Sequence, residues 1–71
     1  MGFLFMTFTL IFENKKEEKE LKKDSKIKDI LKELDVYLET AIVKKNGEIT
    51  DEESTINDGD EIHVIQIVYG G

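Results

Sequence analysis

One long stretch of this sequence repeats its apolar residues at helical spacing: Ile27, Ile30, Leu31 and Leu34 stand at i, i+3, i+4 and i+7. No second stripe of that kind exists for it to pack against, so strands must cover it. Both ends of the chain supply them. Phe3 to Phe12 is a charge-free run of phenylalanine, leucine, methionine, threonine and isoleucine, with Phe8, Leu10 and Phe12 on one face of a strand. Glu61 to Tyr69 alternates in the same way. Ile62, Val64 and Val68 share one face with Gln66, while Ile65, Ile67 and Tyr69 share the other with Glu61 and His63.

The segments between them are shorter. Glu13-Asn14-Lys15 predicts a tight turn, and Lys16 to Lys22 returns antiparallel with Leu21 facing inward; a helix there would need a stripe that Leu21 alone cannot supply. Asp24 or Ser25 is expected to cap the helix, which ends at Leu34-Asp35-Val36, with Tyr37 to Glu39 as its exit. Thr40 to Lys45 reads as a strand closed by Asn46-Gly47, a pair that tolerates positive φ at both positions of a hairpin turn. Glu48-Ile49 pairs briefly beyond it. Thr50-Asp51-Glu52-Glu53 has the form of a capping box and predicts a single helical turn. Asp58-Gly59-Asp60 reads as a turn that starts the last strand. The first and last strands are the most apolar and belong side by side in the middle of a sheet. The expected class is α+β: a mixed four- to five-stranded sheet with one helix packed across one face, the β-grasp arrangement.

Composition narrows the function. Seventy-one residues allow one domain, here 1–71 with residues 70–71 as a flexible tail. With no cysteine, disulfides, thiolate zinc sites and cysteine nucleophiles are ruled out. Sixteen acids against ten lysines, with no arginine, argue against nucleic acid, which needs a basic face. The apolar start lacks a basic n-region and a small-residue cleavage site and is too short to span a bilayer, so a cytoplasmic chain with no membrane partner is expected. His63, the only histidine, has no cysteine or second histidine with which to share a metal, and is expected at the surface. No catalytic or metal-binding residue is assigned. From Asn46 onward there are seven acids and no lysine, a one-signed surface that should attract a basic partner.

Asn46-Gly47-Glu48, then Asp58-Gly59-Asp60-Glu61-Ile62, an apolar strand and Gly70-Gly71 together resemble the ThiS/MoaD family of ubiquitin-like sulfur carriers. The segment Ile27-Lys28-Asp29-Ile30-Leu31 fits the same pattern, so the resemblance covers most of residues 5 to 71. Two features depart from it: the highly charged second strand, and Lys45 where an apolar residue is more usual. The resemblance implies that the reactive group is the α-carboxylate of Gly71. Such a carboxylate, with a pKa of ~3.3–3.7, is ionised at neutral pH and a poor electrophile. A partner adenylyltransferase of the ubiquitin-activating type, using ATP and Mg²⁺, would adenylylate it. A sulfur donor would then convert it to a thiocarboxylate for thiamine thiazole formation, molybdopterin synthesis or tRNA thiolation.

On this reading the chain binds no cofactor itself and is not an enzyme. Its partners are the activating enzyme and a sulfur acceptor. Gly70 and Gly71, lacking Cβ atoms, suit a narrow channel beside a nucleotide. A second reading is a ubiquitin-like modifier joined through Gly71 to target lysines, and a third is an interaction module with an unused tail. Ile65 and Ile67, together with Phe5 and the acids Asp58, Asp60 and Glu61, are expected to form the docking surface for the activating enzyme.

Overall fold

The computed structural model describes residues 6–67. Within them run β1 (Thr7–Phe12), β2 (Lys15–Glu20), α1 (Ile27–Leu34), a 3₁₀ turn (Leu38–Thr40), β3 (Ala41–Lys45), β4 (Glu48–Thr50) and β5 (Glu61–Gln66). The strands form one mixed sheet in the order β2-β1-β5-β3-β4. The apolar strands β1 and β5 are parallel inner neighbours, as their composition predicts, and the other pairings are antiparallel.

Alternation sends Phe8 and Leu10, Ala41 and Val43, and Ile62 and Val64 to one face of the sheet. There they meet Ile27, Ile30 and Leu31 of α1, while Leu21, Val36 and Ile56 close the rim of the core. Leu21 is buried just past β2, as its isolation among charges predicts. The β1–β2 connection is a two-residue turn in which Glu13 and Asn14 both have positive φ (54° and 64°). Asn46-Gly47 does the same between β3 and β4, with φ of 53° and 87°.

Two local expectations are corrected. Neither Asp24 nor Ser25 caps α1: Lys26 is the N-cap, Asp24 has φ of 59°, and Ser25 Oγ donates to the Lys22 carbonyl at 2.8 Å. The first amides of a helix lack partners within it. Here a neighbouring loop supplies them, Ile27 N–H donating to Ser54 O (2.9 Å) and Lys28 N–H to Glu52 O (3.0 Å). Asp29 adds a carboxylate that accepts from the Lys26 amide at 2.9 Å. Nor is Thr50 to Glu53 a helical turn. The Glu52 carbonyl is spent on α1, and the segment closes as a plain turn in which Ser54 N–H donates to Asp51 O (3.3 Å) and Glu53 N–H to Asp51 Oδ1 (3.0 Å).

Lys26 and Lys28 also flank the Glu53 carboxylate at 3.5 and 3.4 Å. Lys28 first, and Lys26 with it, hold the Glu53 carboxyl below its usual value. Lys45 lies on the core side with Ala41 and Val43. Its amine donates to Ser54 Oγ (3.0 Å) and Thr55 O (3.1 Å), so a lysine closes this end of the core by pinning the loop.

Candidate functional site

Register decides what occupies the face that α1 leaves open, because residues paired across strands point the same way. Opposite the core side lie Thr7, Thr9 and Ile11 of β1, Ile42 and Lys44 of β3, and Glu61, His63 and Ile65 of β5. The pairs Ile11↔Lys16 and Thr9↔Glu18 bring in β2, and Lys44↔Ile49 brings in β4. Ile67 follows β5, its amide donating to Thr40 O at 2.9 Å. It is 38% exposed, Ile49 is 72% exposed, and Ile42 and Ile65 are half-buried.

Ile65 and Ile67 are therefore brought together on the open face. Ile11, Ile42 and Ile49 share that face, and sequence reasoning omitted all three. The signal was present: a two-residue Asn46-Gly47 turn forces Lys44 opposite Ile49, and alternation puts Ile42 beside Lys44. His63 sits half-buried on the same face, in register with Ile11 on one side and Lys44 on the other. Phe5, Gly70 and Gly71 lie outside the described residues.

The three acids part company. Glu61 is exposed, and its carboxylate lies 3.9 Å from the Lys16 amine across β1. Asp58 is exposed, and its Oδ1 accepts from the Thr7 amide at 2.9 Å. Asp60 departs from the expected docking acid. It is only 9% exposed, with Oδ1 accepting from Asn46 Nδ2 (2.9 Å) and Oδ2 from the Asn57 amide (2.8 Å). Asn46 Oδ1 in turn accepts from the Glu61 amide at 2.9 Å. One carboxylate oxygen thus ties the β3–β4 turn to the start of β5 and the other closes the turn from Asn57, which leaves little of Asp60 exposed.

Because hydrogen bonds to a charged group contribute ~1.5–3 kcal/mol, Asp60→Ala is expected to lower stability by about 2 kcal/mol in urea denaturation. An unchanged midpoint would remove this structural role. Among the described residues, no three histidine or acidic side chains group to hold a metal ion, and no helix is long and apolar enough to cross a membrane.

Residues 5–71 match the sequence model of the ThiS family. Two solved structures share the architecture. The thiamine biosynthesis protein ThiS from Geobacter metallireducens superposes with a TM-score of 0.65 at 24% identity, covering 93% of this chain and all of that one. Ubiquitin from Caldiarchaeum subterraneum superposes with a TM-score of 0.64 at 15% identity, covering 94% of this chain and 99% of its own. At these identities the likeness establishes the fold, a ubiquitin-like β-grasp.

Proposed function

Because the chain belongs to the ThiS family of ubiquitin-like sulfur carriers, which are not themselves enzymes, we propose that it carries sulfur for thiamine biosynthesis on its Gly71 carboxylate. The observation that carries this reading is that the family match runs through Gly70-Gly71. A carboxylate does not exchange oxygen for sulfur unaided. An adenylyltransferase partner must first use ATP and Mg²⁺ to form the acyl adenylate, releasing pyrophosphate. Sulfide-level sulfur from a donor then attacks the carbonyl and expels AMP, leaving a thiocarboxylate for the thiazole-forming acceptor. No step requires a side chain of this protein. Its residues hold, present and aim the terminus.

The open face is the handle for that work. Ile42, Ile65 and Ile67, with Ile11 and Ile49 in the neighbouring row, form an apolar surface of the kind that marks contact sites. Ile65→Ser together with Ile67→Ser is expected to weaken the complex with the adenylyltransferase at least tenfold. Burying one such side chain stabilises by ~1.5–3 kcal/mol, and about 1.4 kcal/mol is a factor of ten. Titration by calorimetry reads this directly, and unchanged affinity would exclude the face as the handle. Likeness to ubiquitin at 15% identity bears on the fold and does not favour conjugation. Isopeptide-linked products that survive denaturant and reductant would replace the carrier reading with the modifier one.

A further inference from the structure

Resting on that carrier reading, we propose that the open face is polarised in three bands. Its adenylyltransferase partner then presents, moving away from the nucleotide, an apolar patch, an acidic side chain and a basic side chain. The bands follow from register. Nearest the end where the chain leaves β5 are Ile65, Ile67 and Ile42. The next row runs Ile49, Lys44, His63, Ile11 and Lys16 across all five strands. The row beyond it holds Glu61, Thr9 and Glu18, with Glu20 and Asp58 flanking Thr7 past that. Successive rows on one face are about 6.6 Å apart along the strands. Glu61 and Asp58, expected to accompany Ile65 and Ile67, are therefore separated from them by the row that carries Lys44 and Lys16.

The order sets the direction of docking. Four residues follow Ile67, a reach of at most about 14 Å when fully extended, so the Gly71 carboxylate reacts near the apolar end. A dry contact there excludes water from an acyl adenylate that water would hydrolyse. Covering that end also draws water away from Lys44. This side chain is half-buried and, among the described residues, has no acidic partner within 4.0 Å. A desolvated ammonium needs a counter-charge, so the partner must set a carboxylate against it. Glu18 and Glu61 carry the opposite requirement one row further on. Lys16 already neutralises part of it through an exposed 3.9 Å pair with Glu61, which is cheap to exchange for a partner cation.

Pyrophosphate exchange with the chain's own adenylyltransferase tests this, varying carrier concentration for each variant. Lys44→Glu is expected to raise KM for the carrier about tenfold, a cost near 1.4 kcal/mol, with kcat at saturation unchanged. Lys44→Met should raise it by less, because it removes the charge without adding repulsion. Glu18→Lys with Glu61→Lys should raise KM in the same way. Lys32→Glu, a charge reversal of the same sign on exposed α1, should leave KM within about twofold. If Lys44→Glu proves as harmless as Lys32→Glu, the banded docking is wrong and the carrier reading stands. If the unaltered chain supports no exchange at all, the carrier reading falls and takes the docking with it.

Discussion

Deleting Gly70 and Gly71 is expected to reduce adenylylation to background while leaving the thermal transition of the protein in place. The core includes Phe8, Leu10, Ile27, Ile30, Leu31, Val43, Ile62 and Val64, all of which precede the last two residues in sequence. Gly71→Ala asks the sharper question. It keeps a carboxylate at the terminus but adds a methyl group beside the carbonyl that must accept AMP. A displacement of about 1 Å at a reacting centre costs ~100-fold, so a loss of that order in kcat is expected with little change in KM. If alanine were fully active, close backbone approach to the nucleotide would not be the reason for glycine at this position.

The second large effect is on the fold. Ile62 is wholly buried, in register with Leu10 of β1 and Lys45 of β3 beneath α1. Removing three of its carbons leaves a cavity that flanking strands cannot close without breaking their ladders. Ile62→Ala should therefore cost about 3–4 kcal/mol, within the ~2–5 kcal/mol known for such truncations. At ~0.05–0.15 kcal/mol per residue the whole domain has only about 4–11 kcal/mol to lose. Ile62→Val, which leaves most of the volume, should cost ~0.5–1.5 kcal/mol. Urea midpoints separate the two, and near-equal losses would mean that the core relaxes around Ile62.

The strands, their order and the helix were legible because each rests on local chemistry. Asn46-Gly47 could only be a hairpin turn, a lone stripe from Ile27 to Leu34 needed one sheet face, and two uncharged strands needed the centre. What escaped was long-range. The start of α1 was misplaced because its amides are satisfied by Glu52 and Ser54, some 25 residues away in sequence, and no cap pattern records such a partner. The segment from Thr50 to Glu53, expected as a helical turn, is a plain turn that lends its Glu52 carbonyl to α1.

Asp60 resembled its exposed neighbour Asp58 in sequence. Only the folded chain shows its carboxylate turned inward to Asn46 and Asn57. Ile65 and Ile67 were legible as an outward pair through simple alternation. Their companions Ile42, Ile49 and Ile11 required the register of further strands, and with it came the row of Lys44 and Lys16 that lies between Ile65 and the acids. The charged β2, out of pattern for the family, proves to be an edge strand. Its paired lysines and glutamates there discourage edge-to-edge association.

Intact-mass analysis of the protein isolated from its own cells bears most directly on whether the terminus carries sulfur. A fraction about sixteen mass units heavier is expected, localised to Gly71 by fragmentation and lost on mild alkylation or oxidation, because the sulfur of a thiocarboxylate is the better nucleophile. Native protein that never shows this species, even with the adenylyltransferase and sulfur donor active, or that extends past Gly71 without being trimmed, would contradict the account.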